Sequence, residues 1–263
     1  MCRFLAYRGA TIFLEDLVSS PCHSLIRQSL SAEESKAPTN GDGFGVGWYG
    51  ERDEPGHYRE VRPAWSDENL LSLARQVRSG LFFAHVRAAT GTATTRANCH
   101  PFVRGRFMFM HNGQVGGWSR VRRAIESLIP DELYLDRLGT TDSEALFLRI
   151  LARIDEGLAP LDAMQATLAE ARSLMRKAGV KEALRFAAAL TDGRDLFAVR
   201  WASDDKPPSL YLCEREDCVI VASEPVDEAR ECWQALGPHS ALIARAGETA
   251  RIAPFEIEKA AAA

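Results

Sequence analysis

Alternating apolar and polar positions, together with short unbroken apolar runs, predict several β-strands in the first half of the chain. A strand is predicted for residues 2–7 (CRFLAY), and another for residues 81–87 (LFFAHVR), which end in a charged residue. A third strand is predicted for residues 106–110 (RFMFM), and we expect it to stop at His111 because polar residues follow. Polar side chains should therefore gather at one edge, where these strands end.

Helices are predicted where apolar residues recur at helical spacing next to capping signals. Residues 14–30 have this spacing around a proline, residues 66–78 follow Ser66 as a candidate cap, and residues 145–154 and 160–178 form longer runs. The remaining strands are predicted at residues 187–191, 196–201, 210–213, 219–222 and 241–245. No linker-like segment separates these elements, so we expect one domain over residues 1–263.

Glycines at every second position mark residues 40–50 (NGDGFGVGWYG). Period two places Gly41, Gly43, Gly45 and Gly47 on one face of a strand, where a ligand or another backbone can approach closely. A phosphate-binding loop is the rival interpretation, but the Gly-Lys-Ser/Thr ending is missing and aromatic residues continue the strand. We expect the floor of a cleft, with packing against another strand as the alternative.

Composition and charge narrow the class of protein. The chain has 263 residues, of which 46% are hydrophobic and 26% charged, as in an ordinary globular protein. A formal net charge of -4 with interspersed signs argues against a nucleic-acid-binding surface. The chain has no apolar run of about 18 residues and its first residues do not resemble a signal peptide, so we expect no membrane association and a location in the cytoplasm.

Six cysteines are present, and no two of them form a CxxC pair. Irregular spacing in a cytosolic chain does not suggest a disulfide framework, so we expect reduced thiols. Two Cys-His dipeptides, at residues 22–23 and 99–100, raise the possibility of zinc. Because adjacent side chains point apart on an extended chain, and zinc ligands within a pair are normally spaced by two to four residues, we expect no metal site.

The second residue is the strongest candidate for chemistry. If the initiator Met1 is removed, Cys2 carries both a thiol and a free α-amine. An ordinary α-amine has a pKa of about 7.7 to 8.0 and a free thiol one of about 8.5, so the amine can take the thiol proton near neutral pH. The alternative is that Cys2 is an ordinary buried strand residue.

Two further polar motifs have a structural and a functional interpretation. Asn112-Gly113 is the strongest short signal for a hairpin turn. Thr141 and Glu144 have the spacing of a capping box, and Asp142 would complement the helix dipole in its first turn. Each feature taken alone favours the structural interpretation.

Five separated motifs together resemble the class II glutamine amidotransferases, which belong to the N-terminal nucleophile hydrolases. They occur in the family's order at residues 1–2 (MC), 85–90 (HVRAAT), 98–102 (NCHPF), 109–114 (FMHNGQ) and 140–144 (TTDSE), and residues 222–225 (ASEP) resemble its closing strand region. The chain is most similar to the small stand-alone branch that includes the γ-glutamyl amidohydrolase of ergothioneine synthesis and the amidotransferase-like subunit of a glutathione-degrading complex. The resemblance implies an α+β fold, a four-layer α/β/β/α sandwich of two mainly antiparallel sheets.

The resemblance also implies roles for the candidate residues. Cys2 would attack the γ-amide of glutamine or of a γ-glutamyl compound and form a glutamyl thioester, with its own α-amine as base. The side-chain amide of Asn112 and the backbone N–H of Gly113 would hold the oxyanion. No metal or organic cofactor is implied.

Substrate recognition would use opposite charges. Arg87, helped by the Thr90 region, would pair with the α-carboxylate of the substrate, and Asp142 would hold its α-ammonium. One departure from the family concerns Gly91, which stands where the pattern of synthase-fused relatives has a histidine. Free glutamine is therefore not assured as the substrate.

No synthase domain is recognisable in this sequence. Either a separate synthase or partner subunit accepts the ammonia, or water is the acceptor. The alternative from another class is a catalytically silent amidotransferase-like subunit with a binding or regulatory role, which is favoured if Met1 stays attached.

Overall fold

Two antiparallel β-sheets lie face to face at the centre of the structure, a computed structural model that describes residues 2–34, 39–89, 91, 93–229 and 231–257. Apolar side chains fill three layers: one between the two sheets, and one between each sheet and the helices on its outer face. The order of the layers is therefore α/β/β/α, as the family resemblance implied.

The strands form a seven-stranded and a six-stranded sheet within the described residues. They are β1 (Arg3–Phe13), β2 (Phe44–Trp48), β3 (Gly56–Glu60), β4 (Arg78–Val86), β5 (Phe102–Arg104), β6 (Phe107–Val115), β7 (Leu184–Thr191), β8 (Leu196–Ala202), β9 (Tyr211–Arg215), β10 (Cys218–Ala222), β11 (Trp233–Ala235), β12 (Ser240–Ala244) and β13 (Arg251–Pro254). The first sheet has the order β11-β9-β10-β1-β4-β2-β3, and the second has the order β13-β12-β8-β7-β6-β5.

The helices cover the outer faces of the sheets. They are α1 (Glu15–Val18), α2 (Leu25–Leu30), α3 (Glu68–Ala74), α4 (Trp118–Glu126), α5 (Asp131–Tyr134), α6 (Asp142–Asp155) and α7 (Pro160–Lys177). Helices α1 to α3 contribute to the apolar layer on the first sheet, and α4 to α7 contribute to the layer on the second. Within the described part of the chain, no helix combines the length and the apolar character needed to cross a membrane.

The first strand shows how the sequence pattern builds these layers. Phe4 and Ala6 face the other sheet, whereas Leu5 and Tyr7 face the helices. Successive side chains of a strand point to opposite faces, so a strand that is covered on both faces reads as an almost continuous apolar run. The strand predicted at residues 2–7 is confirmed and continues to Phe13 as β1.

The helix predicted for residues 66–78 is shorter in the structure. Helix α3 begins at Glu68 because the Asp67 carboxylate, not Ser66, caps it by accepting a hydrogen bond from the backbone N–H of Leu70 at 2.7 Å. The helix ends at Ala74, and strand β4 already begins at Arg78. The prediction was therefore right about the element and wrong about its bounds.

The hairpin interpretation of Asn112-Gly113 is wrong, and so is the expected end of the strand at His111. Strand β6 continues to Val115 and pairs with β7 along this whole stretch. A Cβ atom on Gly113 would lie 2.0 Å from the carbonyl oxygen of Arg185 on β7, so the glycine permits the close approach of the neighbouring strand.

The glycine-rich face does not form the floor of a cleft. Only Gly45 and Gly47 lie within β2, and Cβ atoms added at these two positions would lie 2.1 Å from the carbonyl oxygen of His100 and 2.5 Å from the sulfur of Met108. The face packs against the opposite sheet and the loop before β5, which is the alternative raised from the sequence. Gly43 precedes the strand and has a φ of +116°, a backbone conformation that favours glycine.

The expectation that all thiols are reduced is wrong for one pair. Cys213 and Cys232 form a disulfide bond across a sequence separation of 19 residues. Strands β9 and β11 are neighbours, and Cys213 lies opposite Trp233, the residue that follows Cys232. The pairing comes from the sheet register, which spacing in the sequence does not reveal. The other four cysteines are free.

Candidate active site

A cleft of about 420 Å³ opens where β1, β4, β6 and α6 meet. Its lining includes Cys2 immediately before β1, Arg87 after β4, Gly113 on β6 and Asp142 at the start of α6. Four residues from distant parts of the sequence therefore line one cleft. Thr90, which also belongs to the predicted site, and Met1 lie outside the described residues.

The thiol of Cys2 lies against the backbone of the loop that follows β4. The N–H of Ala88 donates to its Sγ at 3.4 Å, and the carbonyl oxygen of Ala88 lies 3.5 Å from the same sulfur. Burial raises the pKa of the Cys2 thiol, and the Ala88 N–H and the nearby guanidinium groups of Arg87 and Arg3 act in the opposite direction. A base next to this thiol would therefore assist its ionisation at neutral pH.

Asn112 contacts the nucleophile candidate directly. Its side chain is buried, and its Nδ2 donates to the carbonyl oxygen of Cys2 at 2.8 Å. An amide nitrogen has two hydrogens, so this contact uses only one of the donors. Gly113 follows on the same strand and lines the cleft.

Arg87 is held by the segment that precedes β2. Its backbone N–H donates to the carbonyl oxygen of Gly43 at 2.8 Å, and its own carbonyl accepts from the N–H of Asp42 at 3.0 Å. The guanidinium donates to the carbonyl oxygens of Asp42 and Ala93, each at 3.2 Å. The Asp42 carboxylate also accepts from the N–H of Ala89 at 2.7 Å. Asp42 therefore organises this side of the cleft, a role that the sequence analysis missed.

Asp142 is the first residue of α6 and therefore lies in the first helical turn, as predicted. Its carboxylate accepts hydrogen bonds from the N–H of Val115 at 2.7 Å and of Ser143 at 2.8 Å. Thr141 caps the helix through the N–H of Glu144 at 3.2 Å. The Glu144 side chain instead binds Arg137 and the neighbouring backbone, so only half of the predicted capping box is present.

A second missed residue, Asn98, connects two loops beside the cleft. Its Nδ2 donates to the carbonyl oxygen of Ala93 at 2.7 Å and to the hydroxyl of Thr140 at 3.1 Å, and its Oδ1 accepts from the N–H of Thr140 at 2.8 Å. Asn98 lay in a family motif, which was the available signal. The contact ties the segment after Arg87 to the segment before Asp142.

Three buried histidines lie near the cleft. The rings of His85 and His100 are in contact, with centroids 4.3 Å apart and planes tilted by 35°, and His111 contacts the hydroxyl of Ser143 at 2.9 Å. Burial lowers the pKa of His85 to about 3, and it also lowers the pKa values of His100 and His111. These imidazoles are therefore neutral at pH 7.

A possible metal-binding group lies elsewhere among the described residues. Ligand atoms of Cys22, His23 and Glu228 lie within 4.8 Å of one another. The expectation that the adjacent Cys22 and His23 point apart is therefore wrong. Cys22 and Glu228 are exposed, and none of the three residues lines the Cys2 cleft.

Residues 1–216 match the model of the family described as glutamine amidotransferases class-II, so the chain belongs to this family. It is 33% identical to the probable glutamine amidotransferase DUG3 of Saccharomyces cerevisiae, across 92% of this chain and 81% of that protein. It is 32% identical to the gamma-glutamyl-hercynylcysteine sulfoxide hydrolase of Mycolicibacterium smegmatis, across 87% of this chain and 89% of that protein.

Solved structures agree with this assignment. A glutamine aminotransferase class-II domain protein from Silicibacter pomeroyi superposes with a TM-score of 0.76 at 38% identity, over 97% of this chain and 100% of that chain. The glutamine phosphoribosylpyrophosphate amidotransferase of B. subtilis superposes with a TM-score of 0.65 at 14% identity, over 98% of this chain and 50% of that one, which shows the shared fold. The expected family and fold class are confirmed.

Proposed function

We propose that this protein hydrolyses the γ-amide of glutamine or of a γ-glutamyl compound, with Cys2 as the nucleophile. The observation that carries the proposal is the convergence of Cys2, Gly113, Arg87 and Asp142 on one cleft, with Asn112 bonded to the Cys2 carbonyl. These residues offer a thiol, oxyanion donors and two opposite charges, which is the set that cleavage of a glutamyl amide requires.

The reaction begins with attack of the Cys2 sulfur on the amide carbon. The α-amine that becomes available when Met1 is removed takes the thiol proton and later delivers a proton to the departing ammonia or amine. The product of this step is a glutamyl thioester on Cys2. Water then attacks the thioester, which releases glutamate and restores the thiol.

Two donors stabilise the tetrahedral intermediates. In this mechanism the second hydrogen of the Asn112 amide and the backbone N–H of Gly113 donate to the substrate carbonyl oxygen that becomes negative during attack. Because Asn112 also binds the Cys2 carbonyl, the oxyanion donor and the nucleophile are held together as one rigid unit.

Two opposite charges bind the substrate backbone. Arg87 pairs with the α-carboxylate, and Asp142 pairs with the α-ammonium. The carbonyl contacts of Arg87 and the backbone contacts of Asp142 hold both side chains in place. Thr90, which we expect to assist Arg87, completes the proposed set.

The relatives' names suggest two substrate classes, free glutamine and a γ-glutamyl conjugate. The glycine face of β2 is filled by the His100 backbone and the Met108 side chain, so it offers no space for a bulky leaving group. We propose both classes as candidates. A separate ammonia-accepting synthase or partner subunit is required only if glutamine is the better substrate.

The experiment compares wild type, Cys2→Ala and the control Cys22→Ala on glutamine, glutathione and γ-glutamyl anilides. Cys2→Ala should abolish turnover and keep the thermal midpoint, while Cys22→Ala, which alters an exposed thiol outside the cleft, should retain full activity. The intact mass of the active sample should correspond to a chain without Met1. Turnover by Cys2→Ala, or full activity of a chain that keeps Met1, contradicts the mechanism.

A further inference from the structure

A buried ion pair lies directly behind the nucleophile candidate. Arg3 is completely buried, and its Nε contacts the carboxylate of Glu224, which is also buried. The same carboxylate accepts hydrogen bonds from the backbone N–H groups of Glu33 at 3.1 Å and Glu34 at 3.0 Å. Glu224 is thus held by three donors and has little freedom to move.

The segment that carries Glu224 is joined to the start of β1. Ser223 donates its backbone N–H to the carbonyl oxygen of Phe4 at 3.0 Å, and its hydroxyl accepts from the N–H of Phe4 at 3.1 Å. Strand β10, which ends at Ala222, pairs with β1 in antiparallel register. The carboxylate is therefore placed opposite Arg3 by the sheet itself.

Arg3 in turn holds the nucleophile residue. Its Nη1 donates to the carbonyl oxygen of Cys2 at 2.9 Å, beside the Asn112 donor at 2.8 Å on the same oxygen. Two donors on one carbonyl fix the plane of the peptide bond after Cys2. With that plane fixed, fewer rotations remain to the α-amine and the thiol of Cys2.

We propose that Arg3 and Glu224 form a positioning pair that holds Cys2 in its reactive orientation, with Arg3 fixing the Cys2 carbonyl and Glu224 fixing Arg3. This inference rests on the proposed role of Cys2. Neither Arg3 nor Glu224 lines the Cys2 cleft. A purely structural ion pair, which would contribute to stability alone, is the rival interpretation.

The charges of Arg3 and Glu224 give a second measurable effect, on the ionisation of the Cys2 thiol. The titratable or charged groups around the Cys2 thiol are the α-amine that Cys2 carries once Met1 is removed, and the side chains of Arg3, Arg87, Cys99, His100, His111, Asp142 and Glu182. Removing the negative charge of Glu224 leaves the Arg3 guanidinium uncompensated, which favours the Cys2 thiolate. Removing both charges cancels this effect but still removes the Arg3 donor from the Cys2 carbonyl.

The first test uses Glu224→Gln, which keeps the size of the side chain and removes its charge. Glu170→Gln is the matched control, because Glu170 pairs with Arg149 at 2.9 Å between α6 and α7 and does not line the cleft. Two quantities are measured for each folded variant: kcat with the best γ-glutamyl substrate, and the pH midpoint of Cys2 alkylation by iodoacetamide, with the other thiols followed by peptide mass.

For Glu224→Gln, kcat should fall about tenfold or more with KM changed little, because orientation of the nucleophile is lost while the substrate contacts remain. The alkylation midpoint should move to lower pH by roughly half a unit to one unit. Glu170→Gln also breaks an ion pair and should lose thermal stability, but it should change neither kcat nor the alkylation midpoint. A Glu224→Gln variant that matches Glu170→Gln in kcat and in alkylation midpoint overturns the proposal.

A double variant covers the case in which the single variant does not fold. In Arg3→Met with Glu224→Met, both charges are replaced by apolar groups of similar length, an exchange that buried ion pairs often tolerate. Its alkylation midpoint should return to the wild-type value, whereas kcat should stay low. Wild-type kcat in this variant overturns the proposal. Alkylation needs no substrate, so absence of turnover by wild type would contradict the proposed function without removing this test.

Discussion

Replacement of Asn112 by alanine separates two contributions of one side chain. Asn112 is 2% exposed, and its Nδ2 lies 2.8 Å from the Cys2 carbonyl oxygen. Asn112→Ala therefore removes a buried hydrogen bond and, in the proposed mechanism, an oxyanion donor. The first loss concerns the folded state, and the second concerns only the tetrahedral intermediate and the transition states around it.

The two losses have different magnitudes. A buried neutral hydrogen bond contributes about 0.5 to 1.5 kcal/mol to stability, and the Cys2 carbonyl keeps the Arg3 donor at 2.9 Å, so we expect the lower part of this range plus a small cavity cost. Loss of one oxyanion donor costs about 10² to 10³ in kcat. The value of KM should change little, because the donor acts mainly when the negative charge develops.

The assay combines steady-state kinetics on the best γ-glutamyl substrate with urea unfolding. Asn40→Ala is the control, because Asn40 is also completely buried and its Nδ2 donates to the Gln28 carbonyl oxygen, outside the lining of the Cys2 cleft. The control should lose comparable stability and keep kcat within about threefold. If Asn112→Ala keeps kcat within about threefold, or if its whole loss is in KM, the oxyanion assignment is refuted.

Gly45→Ala should lower the free energy of unfolding by more than the roughly 1 to 3 kcal/mol typical of overpacking, because the new Cβ would lie 2.1 Å from the backbone oxygen of His100. Gly50→Ala is the control, because a Cβ at Gly50 would have no atom within 4 Å, and equal urea midpoints for the two variants would contradict this packing. Burial lowers the pKa of His85 to about 3, so between pH about 6.5 and about 3 the unfolded chain binds a proton that the folded chain does not, and the free energy of unfolding should fall with falling pH. In urea titrations, His85→Asn should reduce the dependence of this free energy on pH by up to about 1.4 kcal/mol per pH unit. An unchanged pH dependence would show that His85 does not titrate in this way. Asp142→Asn should lower kcat/KM by the equivalent of about 2 to 5 kcal/mol, with a smaller loss for a substrate that lacks the α-amino group, and equal losses for both substrates would remove the ammonium contact.

The sequence by itself determined the features that depend on neighbouring residues along the chain. Apolar runs and alternation predicted β1, β4, β7 to β10 and β12, because burial on a sheet face leaves a period of two in the sequence, whereas the short strands β11 and β13 were not predicted. Thr141 and Asp142 predicted the start of α6, because capping is a local hydrogen-bonding requirement. The motifs that contain Cys2, Arg87 and Asn112 identified the family, which the comparisons confirm.

Only the tertiary structure decided the features that depend on pairing between distant segments. The register of β6 with β7 turned Asn112-Gly113 from a predicted hairpin into a strand that faces Cys2. The stacking of the two sheets filled the glycine face of β2, and the register of β9 with β11 brought Cys213 to Cys232. Such contacts join residues whose separation along the chain has no fixed relation to their distance in space, so periodicity and local propensity alone do not determine which strands pair.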